Sequence, residues 1–222
     1  MRKTSYVVTF LAVAVTLLLN ILSITRPDWL YAHPPDIFHS KIVIRYGLLE
    51  RCERQIIDFP GPGQSGRIRY TDYSCRPFPS RKEDACEDEN RYFCTMWWTA
   101  GYAAELGVAF GAATLMAVLI GVSTRSRRRR IWRGVAGLEA LHASFKIITF
   151  ALITHLYSKS HHPYFEFARP STAYILNTLS WVADVLIIFG VVTTGISADA
   201  GHAWAAGNRA YRQISDSEEE GQ

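Results

Sequence analysis

The amino-acid sequence predicts an all-α membrane protein: a four-transmembrane-helix bundle that carries a small, disulfide-pinned, β-rich first loop. Two observations predict this fold class. Apolar residues are concentrated in four long runs, whereas most of the charged residues lie between and beyond those runs. All four cysteines fall in one polar segment between the first two runs. Because about 20 helical residues cross a hydrocarbon core about 30 Å thick, each run is long enough to span a membrane.

The 222 residues divide into alternating spans and links. The predicted order is an N-terminal segment 1–5, span 6–25, cysteine-bearing loop 26–98, span 99–122, arginine-rich link 123–134, span 135–157, short link 158–171, span 172–196 and acidic tail 197–222. The first run is longer than the apolar core of a signal peptide, and the residues after it form a poor cleavage site. We therefore expect the first run to be a retained span.

The distribution of arginine and lysine predicts the orientation. Arg2 and Lys3 precede the first span, six arginines lie in the link 123–134, and two more follow the fourth span. Because cytoplasmic loops carry an excess of these residues, we expect both termini in the cytoplasm and the loop 26–98 in a lumen or outside the cell. Of the possible membranes the plasma membrane is favoured. The basic run Arg127, Arg128, Arg129 and Arg130 should then anchor the topology and contact anionic membrane lipids.

The cysteine-bearing loop contains two stretches with strand character. Residues 42–52 and 67–73 are rich in β-formers, and the second stretch alternates with period two. Between them, residues 59–66 are rich in Pro and Gly and are typical of a turn. An antiparallel pair across this turn would bring two of the cysteines together.

We expect these cysteines to form disulfides, because an even count in an oxidising compartment favours them. The expected bonds are Cys52–Cys75 and Cys86–Cys94, although the sequence alone allows three pairings. A metal site is disfavoured, since no Cys-x-x-Cys spacing occurs and the loop histidines lie far from the cysteines in sequence.

A longer pattern in the same loop resembles a known family. Trp29, the run Gly47-Leu48-Leu49-Glu50-Arg51-Cys52 and then Cys75 are similar to the signature of the claudin superfamily, which is Trp, then Gly-Leu-Trp, two further residues and Cys, then a second Cys. That superfamily includes the peripheral myelin protein and lipoma fusion-partner-like families and fungal four-span relatives of the PalI type. The resemblance covers the topology of nearly the whole chain. It implies structural roles for Trp29, Gly47, Leu48, Cys52 and Cys75, with the Trp at the mouth of the bundle and a small sheet pinned by a disulfide.

Several ionisable residues lie inside the predicted spans, where they are costly and usually face the bundle interior. Lys146 and Asp184 fall at the midpoints of the third and fourth spans, so we expect them to form an ion pair supported by His142. Glu139, His142 and Lys146 share one helical face at i, i+3 and i+7. The arrangement is consistent with a proton or ion path, but a buried pair that fixes helix register is favoured. The complete set is Glu105, Glu139, His142, Lys146, His155 and Asp184.

Three classes of function are compatible with these features. The favoured class is a non-enzymatic membrane organiser, adhesion protein or sensor whose first loop contacts a protein partner or another copy of itself. The alternative is a channel, a transporter or its regulatory subunit that uses Lys146 and Asp184. A membrane thiol oxidoreductase is disfavoured because that chemistry relies on a close cysteine pair such as Cys-x-x-Cys.

Catalytic motifs are missing from the sequence as well. It contains no phosphate-binding Gly-rich loop, nucleophile elbow or His-Glu-x-x-His motif, so we expect neither enzymatic activity nor a cofactor. The arginine run lies between two spans, which argues against nucleic-acid binding.

Overall fold

Four long helices dominate the computed structural model, which describes residues 3–33, 40–60, 67–123, 128–159, 165 and 167–206. They are α1 (Lys3–Thr25), α2 (Arg91–Ser123), α3 (Arg128–Ser158) and α4 (Thr172–Asp199), and a short α5 (Ala203–Ala206) follows them. Each long helix contains a segment long and apolar enough to cross a membrane. Large apolar side chains such as Leu11, Leu186 and Phe189 are exposed on these helices, as lipid contact requires. The chain is therefore a multi-pass integral membrane protein.

Helices α2 and α3 begin seven or eight residues earlier than the apolar runs predict. Helix α2 begins at Arg91 rather than at residue 99, because Phe93, Cys94 and Trp97 are buried and extend the helix beyond its apolar run. Helix α3 begins at Arg128 within the arginine-rich link, since Arg is a good helix former. The predicted link 123–134 is therefore largely helical.

A five-stranded antiparallel sheet accompanies the helices. Its strands are β1 (Leu30–Ala32), β2 (Ser40–Tyr46), β3 (Glu50–Pro60), β4 (Arg67–Pro77) and β5 (Ala168–Pro170), in the order β4-β3-β2-β1-β5. The predicted antiparallel pair is present only in part. The first predicted stretch, 42–52, is divided between β2 and β3. Only β3 pairs with β4, and it continues through Pro60 into the segment predicted to be a turn. Strands β1 and β5 were not predicted, because a three-residue strand is too short to show a period-two pattern.

The helices and the sheet divide into two compact units. The sheet unit comprises Leu19–Glu105 and Lys146–Leu179, and it includes all five strands. The terminal unit comprises Met1–Leu18, Leu106–Phe145 and Ser180–Gln222.

An aromatic cluster forms the core of the sheet unit. The ring centroid of Phe165 lies 5.1 Å from that of Tyr46, 5.5 Å from that of Phe93 and 5.7 Å from that of Trp97. Phe78 packs against the ring of Trp97 at 5.2 Å. All five side chains are buried. The cluster joins strand, turn and helix residues, so it fixes the sheet against the first turns of α2.

The terminal unit has a separate, aliphatic core. Tyr6, Val118, Val135 and Val191 form a buried cluster with one residue from each long helix. In the same unit the Ser180 hydroxyl donates a hydrogen bond of 2.7 Å to the Thr16 carbonyl. A hydrogen bond between buried groups of this kind ties α4 to α1.

Candidate functional site

The two faces of the sheet differ in character, because residues alternate sides along each strand. On one face Ile44, Tyr46 and Arg51 are buried. The opposite face is basic and its arginines are exposed, and we call it the arginine face. It is formed by Arg45, Arg54, Arg169, Tyr31, Tyr73 and the Cys52–Cys75 disulfide.

The strand register sets the order of these side chains. Arg169 of β5 is opposite Tyr31 of β1, and Tyr31 is opposite Arg45 of β2. In the next row Arg54 of β3 is opposite Tyr73 of β4. A shallow hollow of about 290 Å³ lies among them, lined by Val43, Arg45, Cys52, Arg54 and Tyr73. Cations and tyrosines therefore alternate across the face.

The guanidinium groups of this face are available to a ligand. Among the residues that the structure describes, Arg45, Arg54 and Arg169 form no ion pair. Among the side chains that the structure describes, one acid shares the face: the Glu50 carboxylate and the sulfur atoms of Cys52 and Cys75 lie within 4.8 Å of one another. These sulfurs are bonded to each other and so are not thiolate ligands. The described part of the face therefore carries net positive charge.

This face was not predicted from the sequence. The signal is present in β2, where Lys41, Val43 and Arg45 alternate with Ile42, Ile44 and Tyr46. Such an alternation predicts one buried face and one basic face.

A charged network centred on Asp84 lies beside the strand ends. Arg76 donates two hydrogen bonds to the Asp84 carboxylate, at 2.8 and 2.6 Å, and the Ser80 backbone N–H donates a third at 2.7 Å. Arg51 lies 3.9 Å from the same carboxylate and also pairs with Glu53. Because Asp84 is only 6% exposed, this network holds the turn after β4 firmly against the sheet.

The network shifts the ionisation of both partners. Burial by itself raises the pKa of the Asp84 carboxyl, but the hydrogen bonds from Arg76 and Ser80 and the charges of Arg76 and Arg51 outweigh it, so that pKa is lowered. The hydrogen bond to Asp84 raises the pKa of Arg76. Asp84 is therefore a permanently ionised anchor at neutral pH.

Both disulfides are formed with the expected pairing. Cys52 and Cys75 are directly opposite each other on β3 and β4 and are bonded, and Cys86 in the following turn is bonded to Cys94 in the first turn of α2. The first bond pins the sheet, and the second ties the turn to a helix. All four cysteines of the chain are thus oxidised.

Trp29 lies where α1, β1 and α4 meet in the sheet unit. It is fully buried, and its indole Nε1 donates a hydrogen bond of 2.7 Å to the Ser23 carbonyl at the end of α1. Its backbone N–H donates to the Tyr46 carbonyl, and its own carbonyl accepts from the Ser171 N–H. Trp29 therefore joins the first span to the sheet.

Gly47 and Leu48 occupy the tight connection between β2 and β3. The Gly47 N–H donates a 2.8 Å hydrogen bond to the Glu50 carbonyl, and a Cβ at Gly47 would lie 2.6 Å from the Pro27 Cα. Only glycine allows the backbone after α1 to approach so closely. Leu48 is 3% exposed and adds an apolar side chain to the same region.

The terminal unit contains a fully buried polar site. His142 of α3 has Nδ1 at 2.6 Å from the Gly107 carbonyl of α2 and Nε2 at 3.8 Å from the Asp184 carboxylate of α4. Glu139 is also fully buried one turn away on α3. The imidazole fits only because the facing residue is Gly111, at which a Cβ would lie 2.7 Å from His142 Cε1.

The other predicted intramembrane residues differ in burial. Lys146 and Asp184 are both fully buried, but Lys146 belongs to the sheet unit and Asp184 to the terminal unit, so the ion pair between them stays a prediction. Glu105 is exposed, contrary to the expectation that it faces the bundle interior. The reason is local: the buried face of α2 is formed by Ala100, Ala103 and Ala104, and Glu105 lies outside it.

Two further predictions concern polar residues near the helix ends. His155 is exposed, contrary to the expectation that it faces the bundle interior, and its Nε2 lies 3.4 Å from the Tyr92 hydroxyl. The side chains of Arg127, Arg128, Arg129 and Arg130 lie outside the described residues, so their contact with lipid stays a prediction.

No protein-family model matches the chain, and no curated protein matches it in sequence.

Proposed function

We propose that this chain is a non-enzymatic membrane protein of claudin-like architecture that acts in membrane organisation, adhesion or sensing through its sheet. The observation that carries the proposal is the arginine face, which is basic, has exposed arginines and is held on a disulfide-pinned sheet. A rigid face binds a partner with little loss of conformational entropy. The pattern from Trp29 to Cys52 and the Cys52–Cys75 bond support the claudin-like part.

The orientation belongs to the same proposal. Both termini lie in the cytoplasm and the sheet lies outside, at the plasma membrane. The arginine-rich link and the basic residues near both termini support this arrangement, as does the presence of two disulfides.

Site-specific photo-crosslinking tests the proposal. Benzoylphenylalanine replaces Tyr73, which is 56% exposed on the arginine face, or Phe189, which is 70% exposed on α4. Both changes substitute one exposed aromatic for another, so neither should disturb folding. We expect irradiated cells to yield an adduct with a protein or polysaccharide from Tyr73 that is missing from Phe189, where lipid is the neighbour. The same adducts at both positions, or none at Tyr73, would contradict the proposal.

A second candidate function is ion or proton transport, or its regulation. The observation that favours it is the set of fully buried ionisable side chains, Glu139, His142, Lys146 and Asp184. Buried ionisable groups in membrane spans often mark transport pathways. The double variant Lys146→Met, Asp184→Leu tests it in liposomes: loss of ion flux with intact assembly would favour transport, and unchanged flux would exclude this pair from it.

A further inference from the structure

We infer that the arginine face binds an anionic polysaccharide, a polymer whose sugar units carry carboxylate or sulfate groups. The inference rests on the proposed function, in which this face meets ligands outside the membrane. It is carried by three features of the face: the spacing of its cations, the tyrosines between them and the character of its hollow.

The arginines form an extended array. Arg45 and Arg169 are on strands separated by β1, so their backbones lie about 10 Å apart. Arg54 is diagonal to Arg45 on the neighbouring strand, at a backbone distance of about 7–8 Å. A single small anion would contact one or two of these side chains. A polymer with repeated negative charges can contact all three at once.

The chemistry of the side chains fits such a polymer. The planar guanidinium donates paired hydrogen bonds to a carboxylate or a sulfate. Tyr31 lies in register between Arg169 and Arg45, and Tyr73 lies opposite Arg54. A tyrosine offers an apolar ring to the carbon face of a sugar and a hydroxyl to its oxygens.

The hollow favours a polysaccharide over an acidic protein. Tight protein partners are usually anchored by aromatic or aliphatic side chains that fill a desolvated pocket. Here the hollow is shallow, and its apolar lining is limited to Val43, Cys52 and part of Tyr73. Glu50 lies two residues from Cys52, on the side away from Arg54, so it does not stand between the cations.

Binding can be measured with the full-length chain in nanodiscs of phosphatidylcholine, a lipid without net charge. The probes are dextran sulfate, alginate and unmodified dextran, which supply sulfate, carboxylate and neither group. We expect the charged polymers to bind, unmodified dextran not to bind, and the affinity to fall as salt screens the contacts.

A triple variant and a matched control locate the site. Arg45→Gln, Arg54→Gln and Arg169→Gln together should weaken binding of dextran sulfate about tenfold or more. The control combines Arg81→Gln, Lys82→Gln and Arg91→Gln, which removes the same charge from exposed positions away from the face. We expect the control to bind within about threefold of the unaltered protein, since only general charge attraction changes. Equal thermal stability of all three proteins shows that folding is intact.

Several results would overturn the inference. One is equal binding of charged and unmodified dextran, and another is an equal loss in the triple variant and the control. A third is that neither charged polymer binds, while the triple variant loses self-association or loses binding to an acidic protein. In that last case, a crosslinked adduct at Tyr73 would still support the proposed function. The absence of any adduct at Tyr73 would contradict the proposed function as well as the polysaccharide inference.

Discussion

Replacing Gly111 with alanine should destabilise the terminal unit, because the imidazole of His142 occupies the space beside this glycine. The added Cβ would lie 2.7 Å from His142 Cε1, 2.9 Å from His142 Nδ1 and 2.9 Å from Leu17 Cδ1. Carbon atoms do not approach so closely, so side chains must shift. The imidazole cannot move freely, since its Nδ1 lies 2.6 Å from the Gly107 carbonyl.

The expected magnitude follows from two opposing terms. Overpacking of a buried site costs about 1–3 kcal/mol. Replacing glycine by alanine inside a helix stabilises the helix by up to about 1 kcal/mol, because alanine has the higher helix propensity. The net loss should be about 1–2 kcal/mol, which lowers Tm by about 4 °C in a chain of this size.

Thermal unfolding in a fixed lipid nanodisc measures this loss. Gly137→Ala on α3 is the matched control, because nothing lies within 4 Å of a Cβ there and the change should be neutral or stabilising. In a His142→Ala background the cost of Gly111→Ala should shrink, because two of the three close contacts are gone. If Gly111→Ala is as stable as Gly137→Ala, the packing described around His142 is wrong.

Two further predictions concern the sheet unit. Trp29→Phe removes the hydrogen bond to the Ser23 carbonyl and should lower the unfolding free energy by about 2 kcal/mol. Trp204→Phe, at an exposed position, should leave the unfolding free energy unchanged. Equal effects of the two changes in thermal melts would contradict the role given to Trp29. Asp84→Asn should cost about 2–3 kcal/mol at pH 7, because it removes the charge that Arg76 pairs with. Since the pKa of Asp84 is lowered on folding, its charge stabilises the fold above the ordinary value of 3.8 and that contribution is lost as pH falls below it. The difference between the two proteins in urea unfolding should therefore be smaller at pH 3 than at pH 7, and a difference that persists unchanged at pH 3 would refute this.

Much of the fold could be predicted because its signals are local in sequence. A run of about 20 apolar residues by itself indicates a membrane-spanning helix. The alternation in 67–73 and the turn residues before it indicated the antiparallel pair that joins Cys52 to Cys75. These features need no knowledge of distant residues.

The rest depends on contacts between residues far apart in sequence. Strand β5 has three residues and exists because it pairs with β1, well over a hundred residues earlier. The arginine face also depends on distant pairings. Arg169 and Arg45 come onto one face, two strands apart, only because β5 pairs with β1 and β1 pairs with β2. The exposure of Glu105 depends on which face of α2 carries its small residues. No periodicity in the sequence reports these pairings.

The central claim is that the sheet is presented outside the cell, and substituted-cysteine labelling tests it most directly. All four native cysteines are in disulfides, so a single added cysteine is the only free thiol. Arg169→Cys and Asp199→Cys place it near the two ends of the same helix, α4, just before its start and at its last residue. A membrane-impermeant maleimide should label Arg169→Cys in intact cells and Asp199→Cys only after permeabilisation. The opposite pattern would place the sheet inside and contradict the account.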